Sequence, residues 1–434
     1  MSIHPVRAAA LPPGFTETKL LAGLNPSAME IAPDGRVFLC EKNGRVRIFK
    51  NGALLPSPFL TLDADYTQER GLLGIALDPA YQASPYVYVY YTAKNPSHNR
   101  VSRFRADGDA ATGGESVLLE LDNLTEVGWH NGGAIHFGKD GKLYIAAGNN
   151  TNNVYSQSLS ALLGKILRIN PDGSIPEDNP FFKTATGSAR AIWALGLRNP
   201  FTTAVHPITG RIFINDVGEG TFEEIDEGKA GANYGWPKAE GHAATAPGGL
   251  IGTYGDPLSA YSHDGACAIT GGTFYHPGLN SFGAEYADLY FFADYCGGWI
   301  KTLDPANGNA PKSFATGIQR PIDLKAGPDG RLYYLTRGNR AQGVAQGSAE
   351  DNTSTGDGAL FQVQGPKATR IASGSRRLMI AAGRVLLPAG KRGLALFGMN
   401  GVRIWESSGA VSDRPAWLEL PKDLPGGVVR ARFF

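Results

Sequence analysis

A histidine stands among small residues in Gly128-Trp129-His130-Asn131-Gly132-Gly133, immediately before the strand-like run Ala134-Ile135-His136-Phe137. Glycines around it leave backbone room for a partner arriving from outside, and imidazole is the side chain suited to accept a proton there near neutral pH. About 65 residues on, Gly196-Leu197-Arg198-Asn199-Pro200 puts a guanidinium and an amide in another turn, closed by a proline that cannot continue a central strand. Base, cation and amide are the parts of a catalytic site, provided that the intervening elements bring their loops together.

Those elements read as β. Among 434 residues there are 57 Gly, 28 Pro, 17 Tyr and 20 Phe, a turn-rich and aromatic-rich chain with little helical pattern. Three stretches repeat a turn followed by a period-2 strand: Pro33-Asp34-Gly35-Arg36-Val37-Phe38, Lys139-Asp140-Gly141-Lys142-Leu143-Tyr144 and Pro328-Asp329-Gly330-Arg331-Leu332-Tyr333. Asp-Gly supplies the positive φ of a tight turn, and the alternation after it suits a half-buried strand. Looser copies begin at Ile208, Ser84 and Tyr286. Six similar hairpins predict radial repetition, a six-bladed β-propeller over residues 1–365, in preference to a pair of β-sandwiches. Propellers collect loops at one end of a central channel, and His130 and Arg198 fall between repeats.

Charge is balanced, 41 basic against 40 acidic residues, which excludes a polyelectrolyte binder of nucleic acid. The balance conceals a shift: from Lys367 onward there are 12 Lys/Arg and 4 Asp/Glu. With the strand-like runs 394–397, 402–405, 417–420 and 428–433, this predicts a separate small β-sandwich over residues 366–434. No run is long enough to span a bilayer. The N-terminus has no apolar leader core, although Ala8-Ala9-Ala10-Leu11-Pro12-Pro13 would suit a mature start after processing. Cys40 ends an apolar run and reads as a buried thiol, whereas Cys267 and Cys296 lie in loop contexts. Paired, these two would imply an oxidising compartment and stabilise by roughly 3 kcal/mol; the alternative is two unpaired thiols.

Several motifs also have plainer readings. His136, His206, His242, His263 and His276 lack metal-ligand spacing and are expected at the surface or in packing. Glu223 and Glu224 are expected to cap a turn, Asn233-Tyr234-Gly235-Trp236-Pro237 to make a turn, and Tyr86 to Tyr91 to form a blade strand.

Taken together, Glu69-Arg70-Gly71-Leu72-Leu73-Gly74-Ile75-Ala76, Trp129-His130-Asn131-Gly132-Gly133, Gly164-Lys165-Ile166-Leu167-Arg168-Ile169, Gly196-Leu197-Arg198-Asn199-Pro200 and Glu223-Glu224-Ile225-Asp226 through Pro237 give a resemblance. The chain resembles the soluble quinoprotein sugar dehydrogenases, which depend on pyrroloquinoline quinone (PQQ), over most of residues 15–364. The resemblance implies oxidation of aldose sugars at C1 to lactones, with PQQ and calcium as cofactors and electrons passed to an external acceptor. It makes His130 the general base and Arg198 the stabiliser of charge on the quinone oxygen. It also makes Asn199 and Arg320 cofactor contacts, the backbone oxygens of Gly218 and Glu219 ligands of calcium, and Glu69 and Trp129 substrate-side residues. Three positions depart from the pattern. Cys296 stands at a cofactor lysine, Ile322 at a second arginine and Phe201 at a glutamine, so two cations for the three PQQ carboxylates are missing; Lys301 and Arg337 are candidates to replace them. The C-terminal stretch is similar to sorting domains of secreted bacterial proteins, implying export machinery as a partner and a secreted, periplasmic or cell-surface location. The competing functions are a non-catalytic propeller that binds carbohydrate or protein, as in Hedgehog-interacting relatives, and a calcium-dependent lactonase-like hydrolase.

Overall fold

The computed structural model describes residues 8–339 and 356–366 and, beyond them, the backbone of seven strands between Thr369 and Phe433. The chain divides into two compact units, residues 1–277 with 281–367, and residues 278–280 with 368–434.

The first unit is an all-β propeller. Among the described residues it holds six sheets of four or more strands. Each has an edge strand on the inside: Pro26–Ile31, Leu72–Leu77, Gly132–Phe137, Pro200–Val205, Ile269–Phe274 and Pro321–Ala326. Each of these lies beside the next, and the last lies beside the first, so the ring is closed. The closure is made in the last sheet, where Thr16–Leu24 pairs antiparallel with Gly358–Gln364.

Sequence alternation explains how the sheets stack. In Tyr86–Ala93, Tyr88 and Tyr90 enter one buried cluster, with Ile135, Leu143 and Leu167 of the next sheet, while Val87, Val89 and Tyr91 enter another, with Phe38, Val46 and Phe59 of the preceding one. A strand clamped between two neighbours is apolar on both faces, and aromatic and β-branched side chains fill that space best. The expected blade strand at Tyr86 to Tyr91 is therefore present.

The six repeats occupy one kind of position. Each joins an innermost strand to the second strand of its sheet. In three of them the same bond closes the turn: Gly35, Gly141 and Gly330 donate N–H to Ala32, Gly138 and Gly327 at 2.9, 3.0 and 3.0 Å. Their φ angles of 87°, 70° and 80° need glycine. Because the first four strands of each sheet are consecutive in chain order along an antiparallel path, or nearly so, two kinds of connection emerge at the opposite rim. These run from second to third strand and from one sheet into the next, and His130, Arg198 and the other candidate residues lie on them or at their junctions with the strands.

Cys267 and Cys296 form a disulfide with Cα atoms 5.4 Å apart, between the connection preceding Ile269–Phe274 and the one following Tyr290–Asp294. Cys40 is a buried free thiol. Among the described residues no helix is long and apolar enough to cross a membrane.

In the second unit, strands at Ile380–Ala381, Arg384–Leu387 and Ala416–Glu419 form one three-stranded sheet, and Gly393–Phe397, Arg403–Ser408 and Arg430–Phe433 form another. Strands thus occur in all four expected runs. Met399-Asn400-Gly401, which by sequence would turn between the runs 394–397 and 402–405, lies outside the described residues.

The disulfide spans 29 positions, so the replacement Cys267→Ser with Cys296→Ser should lower unfolding free energy by about 3 kcal/mol in the chain-entropy picture. Urea titration of the oxidised and double-variant proteins checks this; superimposable curves would refute it.

Candidate active site

The innermost strands and the connections at their entry rim enclose a cavity of about 500 Å³. His130 lines it. Its φ of 55° is left-handed, uncommon for a residue with a Cβ, and hydrogen bonds hold the loop that carries it. Tyr90 Oη donates to Asn131 O at 2.8 Å from the buried core, Asn131 Nδ2 donates to Gly128 O at 2.8 Å, and Asn150 Nδ2 donates to Val127 O at 2.8 Å and Trp129 O at 3.2 Å. The His130 N–H donates to Glu69 Oε2 at 2.9 Å. Behind the loop, a Cβ on Gly148 would collide with His130 O, so only glycine permits this approach.

The tautomer of His130 follows from Asn149. Asn149 Oδ1 lies 2.9 Å from His130 Nδ1 and also accepts the Thr151 N–H at 2.9 Å, while its Nδ2 donates to Asn153 Oδ1 at 3.1 Å. With the amide thus oriented, His130 Nδ1 carries the proton and Nε2 keeps its lone pair. Burial, followed by the nearby Arg198 charge, lowers the imidazole pKa to about 4, although the Asn149 bond opposes this. His130 is a neutral base at physiological pH.

Arg198 and Asn199 are aimed by Asp216, whose two oxygens accept their backbone N–H groups at 2.9 and 2.7 Å. Arg198 Nη1 donates to Val217 O at 3.1 Å, and its guanidinium lies 5.5 Å from the Trp236 ring centre. Trp236 Nε1 is in turn held by Asn153 Oδ1 at 2.8 Å. Asn199 Oδ1 accepts the Gly132 N–H at 3.1 Å, which ties the arginine loop to the histidine loop.

Glu69, Trp129, Gly218, Glu219 and Cys267 also line the cavity, so most of the expected residues converge. Of the three departures, Phe201 and Ile322 line it with apolar side chains, while Cys296 is taken up in the disulfide. Arg320 is placed differently. It is absent from the lining, and its guanidinium donates to Gly338 O at 2.8 Å, Arg337 O at 3.0 Å and Tyr295 Oη at 3.2 Å. Arg337 lines the cavity, as does Lys42, which sequence reading passed over.

The turn carrying Gly218 and Glu219 is fixed by an acid that sequence reading also passed over. Glu240 Oε1 accepts the N–H groups of Glu219, Gly220, Thr221 and Phe222 at 2.8, 3.1, 3.1 and 3.3 Å. Glu223 and Glu224 lie buried in the strand Phe222–Gly228; Glu223 Oε2 accepts the Gly218 N–H of that turn at 3.4 Å, as expected of a turn cap, and Glu224 Oε1 accepts the Gly241 N–H. Glu223 accepts the Ile269 N–H at 2.9 Å and pairs with His263 Nε2 at 2.6 Å. His263 and His136 line the cavity, contrary to the surface or packing places expected for them.

Beneath the arginine loop lie Asp216, Glu224 and Asp226, whose nearest carboxylate oxygens are all within 4.8 Å of one another. Among the described residues, neither Asp226 side-chain oxygen has a hydrogen-bond partner. Burial pushes Asp216 up to about 7, and burial with repulsion from the neighbouring acids pushes Glu224 up to about 8 and raises Asp226 strongly. Buried oxygen donors in such a group are suited to a hard divalent cation. The sequence signal was present in Asn215-Asp216 and Glu224-Ile225-Asp226, but only strand pairing, Asp216 opposite Glu224, makes it a cluster.

The chain is similar to several known proteins. The chain is 28% identical to the aldose sugar dehydrogenase of Escherichia coli (strain K12) over 334 residues, 72% of this chain and 87% of that one. A structure described as the PQQ-bound form of aldose sugar dehydrogenase from Streptomyces coelicolor superimposes with a TM-score of 0.62 at 26% identity, covering 82% of this chain and 99% of that one. The Hedgehog-interacting protein of Mus musculus is 30% identical over 224 residues, 44% of this chain and 32% of that protein. The model of the glucose/sorbosone dehydrogenase family matches residues 24–346, and the chain belongs to that family of oxidoreductases.

Proposed function

We propose that the protein oxidises aldose sugars at C1 to lactones with PQQ and calcium, and that His130 is the general base. The carrying observation is the cavity-facing imidazole whose Nδ1 is committed to Asn149, leaving Nε2 as the proton acceptor. When bound, PQQ with calcium supplies the hydride acceptor. His130 Nε2 takes the proton of the C1 hydroxyl, and Arg198 compensates the negative charge that develops beside it. Glu69 holds the His130 amide and presents its carboxylate to substrate hydroxyls, while Trp129, 37% exposed, offers an aromatic face to the sugar ring. Asn199 positions the cofactor side, and the carbonyl oxygens of Gly218 and Glu219 hold calcium on the turn that Glu240 braces.

The residues fit a flat, triply acidic cofactor. Lys42, Arg198, Lys325 and Arg337 outnumber Glu69, Glu219 and Asp323 in the lining, and Phe201, Ile322 and Met29 give it apolar walls. We read each large sheet as one blade of a six-bladed propeller over residues 1–365. Residues 366–434 act as a sorting-like module that meets export machinery, with the protein secreted, periplasmic or at the cell surface; the disulfide suits an oxidising compartment. Electrons pass to an external acceptor. The second reading, a non-catalytic binding propeller, is favoured by the apolar Ile322 and by the commitment of Arg320 to backbone oxygens.

Dye reduction by purified protein with PQQ, calcium and a panel of aldoses separates the two. The enzyme turns over, and His130→Ala loses about a thousandfold in kcat while retaining PQQ; no cofactor binding and no turnover would favour the binding propeller. Because His130 titrates at about 4, the acid limb of kcat/KM should fall near that pH and show no inflection at the ordinary histidine value. Independently, calcium added to chelator-stripped protein should raise Tm, and Asp226→Asn should shrink that increment. An undiminished increment in Asp226→Asn would remove the buried triad as a cation site.

A further inference from the structure

We propose that Lys42 and Arg337 are the cation pair that receives cofactor carboxylates in this chain, replacing the two cations missing at Cys296 and Ile322. The proposal rests on the PQQ reading above and assigns a new subsite within it.

Both residues lie on connections from a second to a third strand, Lys42 in the first sheet and Arg337 in the last. These sheets are neighbours where the ring closes, and the innermost strand Pro26–Ile31 separates the two side chains' loops. Lys42 is 4% exposed and Arg337 5%, and both face the cavity. The Lys42 ammonium donates to Gln68 O, and Arg337 Nη1 donates to Pro26 O at 3.1 Å.

Both are firmly held. Lys42 N–H donates to Asn25 O at 2.9 Å, and Lys42 O accepts the Leu72 N–H at 3.1 Å. Arg337 N–H donates to Arg320 O at 2.9 Å, and Arg320 Nη2 donates back to Arg337 O at 3.0 Å. Arg320 is thus a positioning residue for Arg337. Lys301, the other candidate substitute, is absent from the lining, and its ammonium lies 4.0 Å from the Trp299 ring centre.

Two like charges in so little water repel. Burial first and Arg337 second draw the Lys42 ammonium down to about 8, with Glu69 and Asp65 opposing. An arriving carboxylate converts that repulsion into two charge-assisted hydrogen bonds, and the guanidinium fork suits bidentate contact. An apolar wall at Ile322 and Phe201 on other strands would then face the ring of the ligand while the acids face Lys42 and Arg337.

The test is equilibrium titration of calcium-loaded protein with PQQ, read by tryptophan fluorescence, and with PQQ trimethyl ester, which keeps the ring but not the charges. Lys42→Met and Arg337→Met should each raise the Kd for PQQ about tenfold or more, Lys42→Arg should restore most of the affinity, and the ester should bind all four proteins alike. Circular dichroism melts verify that the variants are folded. Methionine variants that bind PQQ like the parent, or that lose acid and ester equally, would overturn the pair while leaving the cofactor reading intact. A parent protein that does not bind PQQ would overturn both.

Discussion

Pairing of Thr16–Leu24 with Gly358–Gln364 is the constraint on which the first unit depends. A strand from near the start of the chain completes the last sheet, so the ring closes only once nearly all of it has been made. Closure shelters the edges that open sheets would expose and brings the first sheet against the last. Lys42 and Arg337, far apart in sequence, share a cavity for that reason. The strand order repeated in every sheet sets which rim collects the loops that hold His130, Arg198 and Glu219.

The fold was legible because its signal is local. Asp-Gly turns followed by alternating strands recur wherever an innermost strand meets the second, and a period of two over a few residues is readable without knowing the partner strand. His130, Arg198 and Cys267 with Cys296 were legible for a related reason, since each sits in a short, unusual run. Residues whose roles depend on a second segment were not. Asn149 looks like one asparagine in Gly148-Asn149-Asn150 until it lies beside the His130 imidazole. Glu240 reads as a loop acid until four amides turn toward it. Arg320 shows the converse: its run suggested a direct contact, but backbone carbonyls of the following loop occupy its guanidinium.

The site treats its charges in opposite ways. His130 is kept neutral by burial and by a cationic neighbour, so its basicity is moderate but its lone pair is available across the physiological range. Asp216, Glu224 and Asp226 are crowded until they hold protons more tightly, and Asp216 nevertheless orients Arg198 and Asn199 through their amides. Desolvation serves both, because a cavity closed enough to shift an imidazole downward also strengthens each hydrogen bond that aims it.

The repeated turns lie at the rim opposite the chemistry, and none of the residues assigned to the base, the guanidinium or the cation pair belongs to them. Among the described residues, no atom lies within 4 Å of where a Cβ would sit on Gly35 or Gly141, so these two hairpin tips face open space. That makes the opposite rim an attachment surface. A peptide linker inserted at Asp140-Gly141, or an anchoring side chain placed beside it, would leave the cavity walls untouched, so the protein could be tethered to a solid support with its mouth directed outward.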